Sequence, residues 1–246
     1  MTPWHPFLIA LQFLTLVPVH FKQPPEAAQN GRSLLYYPLV GLLMGGVLWG
    51  VLALAGGLAP GMAAALTLGT WVLISGGLHL DGLADSADAW MGGFGDRERT
   101  LEIMHDPYCG PMGVITLILI LLLKFTALEA LIEQQQTLLL IAIPVLGRGA
   151  VLALFLTTPY IRRGGIGEQM ARHLPRTQGI GVLLLTMILL TLWLGSSGLW
   201  LLMGSAITLS GIRWLLLKRL QGTTGDTAGA LLEITECVAV LLAATL

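Results

Sequence analysis

The chain has 246 residues, 55% of them apolar and 11% charged, with 31 glycines and a mean hydropathy of +0.79. An ordinary soluble domain carries about 25% charged residues, so a water-facing shell of normal composition is excluded and a polytopic membrane protein remains. Net charge is −1, from 13 Lys+Arg against 14 Asp+Glu, so no basic surplus exists to neutralise a nucleic-acid backbone. Cys109 and Cys237, without a CxxC spacing, support neither a zinc site nor a secreted cystine framework.

A hydrocarbon core of roughly 30 Å requires about 20 mostly apolar helical residues. The first apolar segment, Phe7–Val19, is shorter than that and is fenced by Pro6 and Pro18, which predicts a re-entrant or interfacial helix. No Lys or Arg precedes it and no small-residue cleavage site follows, unlike a signal peptide. Seven stretches then qualify as spans: Leu34–Leu58, Met62–Leu78, Met112–Leu131, Leu138–Leu156, Ile180–Leu194, Leu199–Leu217 and Thr227–Leu246. The turn Gly195-Ser-Ser-Gly198 makes the fifth and sixth an antiparallel pair. The expected fold is all-α, a helical bundle of about seven transmembrane helices plus the short N-terminal helix. With no repeat and no linker, residues 1–246 read as a single membrane domain.

Counting loops alternately, 11 of the 13 cations fall on one side or at its margin, whereas Lys124 and Arg148 lie inside spans. By the positive-inside rule the cation-rich side is cytoplasmic. The long loops near 79–111 and 158–178 share that side, so function is expected to face the cytoplasm.

The segment Gly76-Gly-Leu-His79-Leu-Asp81-Gly-Leu-Ala-Asp85-Ser-Ala-Asp88 holds three of the six Asp residues. At 100° per residue Asp81, Asp85 and Asp88 sit at about 0°, 40° and −20°, on one helical face without a cation to offset them. Mg²⁺, a hard cation that takes carboxylates, waters and substrate phosphates, fits this face. The alternative is a solvated acidic helix end. His79 points about 160° away from Asp81 on a regular helix, and would serve as a base only if the chain bends near Gly82.

A second acidic set opens the last span, with Asp226, Glu233 and Glu236 at about 0°, −20° and −80°. A charge inside a span costs about 2.5–3.5 kcal/mol on insertion scales, so Glu233 needs a partner or a cavity. Pairing with the helix dipole explains Asp226 but not the two Glu. Lys124 and Arg148 suit an anionic ligand in that cavity, or else a structural ion pair with Glu233 or Glu236. Asp106, in the loop Asp106-Pro-Tyr-Cys-Gly110-Pro-Met-Gly113, adds a carboxylate, and glycines such as Gly110 and Gly225 permit close approach of phosphate. Between the two motifs, Asp96–His105 reads as a short amphipathic helix with Leu101 and Met104 on its apolar side. Arg162 and Arg163, beside Gly164-Gly-Ile-Gly167, suit a phosphate or nucleotide, or equally an inner-leaflet anchor.

Carboxylates with Mg²⁺ beside cations and glycines suit transfer of a phosphate-linked group. No HExxH, serine triad or GxxxxGK[ST] loop supports protease or ATPase chemistry. The motifs Gly76-Gly-x-His79-x-Asp81-Gly-x-Ala-Asp85-x-x-Asp88, Asp106-x-x-x-Gly110-x-x-Gly113, Arg162–Gly167 and Gly225-Asp226-x-x-Gly229-Ala-x-x-Glu233, with Tyr37-Pro-Leu-Val-Gly41, resemble the cobalamin synthase family of adenosylcobinamide-GDP ribazoletransferases over nearly the whole chain. The resemblance implies an integral membrane enzyme that joins adenosylcobinamide-GDP to α-ribazole or its 5′-phosphate. GMP is released, Mg²⁺ is required, and the step is the last of cobalamin nucleotide-loop assembly.

On that reading Asp81, Asp85, Asp88 and Asp106 are the catalytic acids. Asp81, Asp85, Asp88, Asp226 and Glu233 hold metal. Arg162, Arg163, Lys124, Arg148, Gly110 and Gly225 meet substrate phosphates. Partners are the two substrates and the bilayer, with a homo-oligomer or a complex with other nucleotide-loop enzymes left open. Two rivals are a CDP-alcohol phosphotransferase, against which Asp85 stands where that family has Arg, and a transporter using Lys124, Arg148 and Glu233 as its path.

Overall fold

A computed structural model describes residues 4–246, and among them every regular element is a helix. In chain order these are α1 His5–Leu14, α2 Ala27–Ser33, α3 Tyr37–Leu54, α4 Pro60–Ser75, α5 Leu78–Gly92, α6 Arg97–Ile103, α7 Pro111–Glu133, α8 Ala142–Thr157, α9 Ile166–His173, α10 Arg176–Leu194, α11 Ser196–Arg219 and α12 Gly225–Ala243. Prolines open α3, α4 and α7, where a missing N–H costs nothing. Each expected span has its helix, while the N-terminal helix stops at Leu14 and packs on α2 and α3.

Length and apolarity support five crossings, or six when the bent pair α4–α5 is one of them, rather than seven. The seventh expected span, α12, is 19 residues long but carries Asp226, Glu233 and Glu236. It is the central helix, buried along most of its length and packed by α5, α7, α8 and α11. The pair α10–α11 lies outside and turns most of its apolar surface outward, as lipid-facing helices do. α3 approaches α8 closely because Gly41 and Gly45, one turn apart, lack side chains: a Cβ would stand 2.5 Å from the Pro144 carbonyl oxygen at Gly41. Small residues spaced in this way are the usual means of bringing membrane helices together.

At Gly76 and Gly77 both φ angles are positive, 64° and 71°. Two successive left-handed residues turn α5 by 87° from α4. α5 therefore leaves the span and lies across the end of the bundle, at the end where α7, α10 and α12 begin. The cations gather at this end and cap helix carbonyls. Arg213 Nη2 donates to the Thr157 carbonyl at 2.9 Å and Arg176 Nη2 to that of Leu156, both at the C-terminus of α8. Arg97 Nε donates to the Leu220 carbonyl at 2.8 Å and Arg219 Nη2 to that of Trp90 at 3.1 Å. Besides marking one face of the membrane, these side chains neutralise the negative helix ends there.

Candidate functional site

α5 crosses α12 where Gly82 meets Asp226: a Cβ on Gly82 would lie 2.8 Å from the Asp226 carbonyl oxygen and 2.9 Å from its Cα. The crossing brings the two acidic segments to the same end of the bundle, and Asp81 and Asp226 line one cavity of about 320 Å³. The other wall is the loop after α8. Ile161 N donates to the Thr223 carbonyl at 3.0 Å and Thr223 N to that of Pro159 at 2.8 Å, which fixes this loop against the α11–α12 turn. Arg162 is thereby held beside α12, and its Nη1 donates to Asp226 Oδ2 at 2.9 Å.

The helices α9 and α12 both begin at this cavity, with Gly165 and Thr224 as their N-terminal caps. Thr224 accepts from Thr227 N and returns its own N–H to the Thr227 hydroxyl at 2.9 Å. Glu168, in the first turn of α9, accepts from Gly164 N at 2.7 Å and stiffens the glycine loop. The starts of two helices, with Arg162, form a surface suited to an oxyanion.

Asp85, on the same helix as Asp81, is pushed up to about 6 by burial first, and then by the charges of Asp81, Asp226 and Asp88. Arg162 alone lowers it, and Arg162 already serves Asp226. Negative charge is thus in excess here, with one guanidinium facing Asp81, Asp85 and Asp226. Among the described residues no three His, Cys, Asp or Glu side chains are already gathered as a metal cluster. The donors are nevertheless all hard carboxylate oxygens, the class Mg²⁺ selects, and Mg²⁺ typically takes only one or two carboxylates with phosphate completing its shell. The residues fit that ion.

Other expected members stand elsewhere. Asp88 faces the start of α7, where its oxygens accept from Gly110 N at 2.7 Å and Gly113 N at 3.0 Å. It caps a neighbouring helix, and Gly110 is glycine because a Cβ would strike this carboxylate at 2.5 Å, so Gly110 serves Asp88 and not a phosphate. Asp106 closes a local turn by accepting from Tyr108 N at 3.0 Å and does not line the cavity. Arg163 is exposed, whereas Gly225 lines the cavity.

Glu233, Lys124 and Arg148 are corrected more strongly. Lys124 Nζ donates to Glu233 at 2.6 Å and to Glu236 at 3.0 Å, and Arg148 Nη1 donates to Glu236. All four are buried inside the bundle, with Lys124 also over the Trp71 ring at 4.5 Å. Glu233 sits two turns beyond Asp226, roughly 10 Å deeper, so it meets Lys124 and not the metal set. Lys124 and Arg148 Nη1 are engaged by this buried cluster, whereas Arg148 Nε and Nη2 are buried without a hydrogen-bond partner among the described residues. Neither side chain lines the cavity, and both are buried in the bundle.

Sequence reasoning did not single out Tyr160 or Phe155. Their rings stack at 5.6 Å with an interplanar angle of 25°, and both line the cavity. The Tyr160 hydroxyl lies where a Cβ on Gly167 would be, 2.3 Å away, so the glycine pattern was the available signal. His79 also lines the cavity, although α5 runs unbroken through Gly82; the wall reaches it from the α12 side, at Gly229.

Fold and site together define a helical membrane protein with an acidic, glycine-lined cavity at one end of its bundle. Comparison with known sequences matches residues 6–244 to the family described as Cobalamin-5-phosphate synthase. The chain is 58% identical over 241 residues to the adenosylcobinamide-GDP ribazoletransferase of Pseudomonas fluorescens Pf-5, covering 98% of this chain and 99% of the relative. It is 54% identical over 241 residues to that of Pseudomonas savastanoi pv. phaseolicola, covering 98% and 99%. To that of Stutzerimonas stutzeri it is 54% identical over 237 residues, covering 94% of each. This chain belongs to the cobalamin-5-phosphate synthase family. No solved structure matches it.

Proposed function

We propose that this chain joins adenosylcobinamide-GDP to α-ribazole or its 5′-phosphate, releases GMP, and does so with Mg²⁺ at the cytoplasmic face of a bacterial inner membrane. The observation that carries the reading is that Asp81, Asp226, Arg162 and the glycine loop face one cavity at the cation-rich end of the bundle. A pyrophosphate donor suits this combination of carboxylates, a guanidinium and two helix N-termini.

The ribazole 3′-hydroxyl attacks the phosphorus that carries cobinamide, a new P–O bond forms, and the bond to GMP breaks. One or two of Asp81, Asp85 and Asp226 would hold Mg²⁺, which when bound would spread the negative charge of the diphosphate. Arg162 and the N-terminal turns of α9 and α12 orient the phosphates and stabilise charge on the departing GMP. A carboxylate of the set not engaged with the metal takes the hydroxyl proton. Asp88 keeps the start of α7 in place.

Purified protein given both substrates and Mg²⁺ is expected to release GMP in step with formation of the cobamide product. Activity with CDP-diacylglycerol instead, or uptake without a covalent product, overturns the reading. Chelation with EDTA is expected to stop turnover and added Mg²⁺ to restore it; an unchanged rate in EDTA removes the metal from the proposal. Gly82→Ala is expected to lower turnover by about 10²-fold, because separating α5 from α12 by even an ångström misaligns Asp81 with Asp226. A rate within twofold of the parent would show that this crossing does not set the geometry.

A further inference from the structure

The phosphate chemistry of the cavity leaves Tyr160 unused, although the residue lines its wall. Three contacts fix the residue. Its backbone pairs with Thr223 in an isolated parallel bridge, its ring stacks on Phe155 at 5.6 Å, and Gly167 leaves it room, because a Cβ there would strike the hydroxyl. A ring held in this way delivers its hydroxyl to one place. That place lies between two helix starts. Gly167 belongs to the first turn of α9, and the N–H of Gly225, the first residue of α12, faces the hydroxyl oxygen. The charged groups around it are Arg162, Asp226 and Glu168. Both carboxylates are engaged, Asp226 by Arg162 at 2.9 Å and Glu168 by Gly164 N at 2.7 Å. Tyr160 is half-buried, and its hydroxyl is not one of the enclosed polar atoms of the bundle; among the described residues no protein group accepts its proton.

We propose that the Tyr160 hydroxyl donates a hydrogen bond to a non-bridging oxygen of the donor's diphosphate, beside Arg162, where charge builds as the bond to GMP breaks. The inference rests on the reaction proposed above and gives it a further catalytic residue. A phenolic hydroxyl accepts and donates at once. The helix N–H stands on its accepting side, so the proton is left for an acceptor in the cavity, and two helix starts with Arg162 select an anion for that part. A neutral donor also fits the charge of the site. A second guanidinium would pair with the carboxylates that the metal needs, whereas a hydroxyl stabilises oxyanion charge and leaves them free.

Tyr160→Phe removes the oxygen and keeps the ring. Its kcat for GMP release is expected to fall about 10²-fold, the usual cost of one donor lost from an oxyanion site, with the KM for α-ribazole and the thermal midpoint in detergent both held. Equilibrium binding of inorganic pyrophosphate with Mg²⁺, read by calorimetry, is expected to weaken about 10-fold. Parental kcat with parental pyrophosphate affinity overturns the proposal. A fallen midpoint with both of these held does the same, since it leaves Tyr160 with packing alone. In the parent protein labelled with 3-fluorotyrosine, the fluorine resonance of Tyr160 is expected to shift when pyrophosphate and Mg²⁺ are added. A stationary resonance sinks the proposal even where Tyr160→Phe fails to fold. The two readings fail separately. GMP release at equal rates by parent and Tyr160→Phe keeps the reaction and loses the residue; a parent that releases no GMP, yet binds pyrophosphate more tightly than Tyr160→Phe does, keeps the phosphate contact and loses the reaction.

Discussion

Asp81→Asn is expected to abolish GMP release, by about 10³-fold, with no loss of folded protein from the membrane. The side chain is exposed on the cavity wall, and among the described residues it enters no ion pair, so the neutral isostere disturbs little packing. What it removes is a charged oxygen where the diphosphate and Mg²⁺ are proposed to meet. Asp226→Asn is expected to lose as much activity but also to loosen the 159–163 loop, because Arg162 loses its partner at 2.9 Å. Glu102→Gln is the matching control, an exposed acid paired with Arg99 on α6, and is expected to leave the rate unchanged. GMP release measured at saturating substrates, beside size-exclusion profiles in detergent, decides all three. An Asp81→Asn protein with parental turnover would remove the acidic face from the chemistry.

Glu236→Gln is expected to cost about 3–5 kcal/mol of stability, read as a large drop in the thermal midpoint of the detergent-solubilised protein. Glu236 is fully buried and receives hydrogen bonds from both Lys124 and Arg148. Its neutralisation leaves two cations facing Glu233 alone in the interior of the bundle. Combining Lys124→Met with Glu233→Gln removes one charge of each sign, and the pair is expected to cost less than the two single changes added together. The same measurements separate the structural role from the phosphate-binding role that the sequence suggested. Under the structural reading the midpoint falls and the KM for the GDP-bearing donor holds in whatever protein remains folded. A preserved midpoint with a raised donor KM would return these residues to the substrate.

Much of the fold was legible because its signals are local. Hydrophobic runs of bilayer length placed seven helices. The acidic face of α5 could be read from helical period alone, as could the short amphipathic helix opened by Asp96, whose Oδ1 caps Arg99 N at 2.7 Å. The site was legible as residue types but not as partnerships. Asp226 and Glu233 project from α12 within about 20° of each other, yet one lies at the rim and the other pairs with Lys124 inside the bundle. Angle around a helix is encoded in its own sequence; depth relative to a neighbouring helix is set by where the two cross.

Asp88 shows the same limit. It shares a helical face with Asp81 and Asp85, but α7 begins against it, and the N–H groups of Gly110 and Gly113 take both its oxygens. His79 moves the other way: its angle from Asp81 left it a base only if the chain bent near Gly82, yet with α5 unbroken it lines the cavity beside α12. The sequence by itself determined an all-helical membrane chain, and where its acidic and glycine-rich stretches fall along it, since hydropathy, charge and helical period belong to single segments. Only the tertiary structure decided which carboxylates face the cavity and which neutralise buried cations. That choice depends on helix crossings such as Gly82 over Asp226, where the absence of one side chain sets how closely two backbones approach.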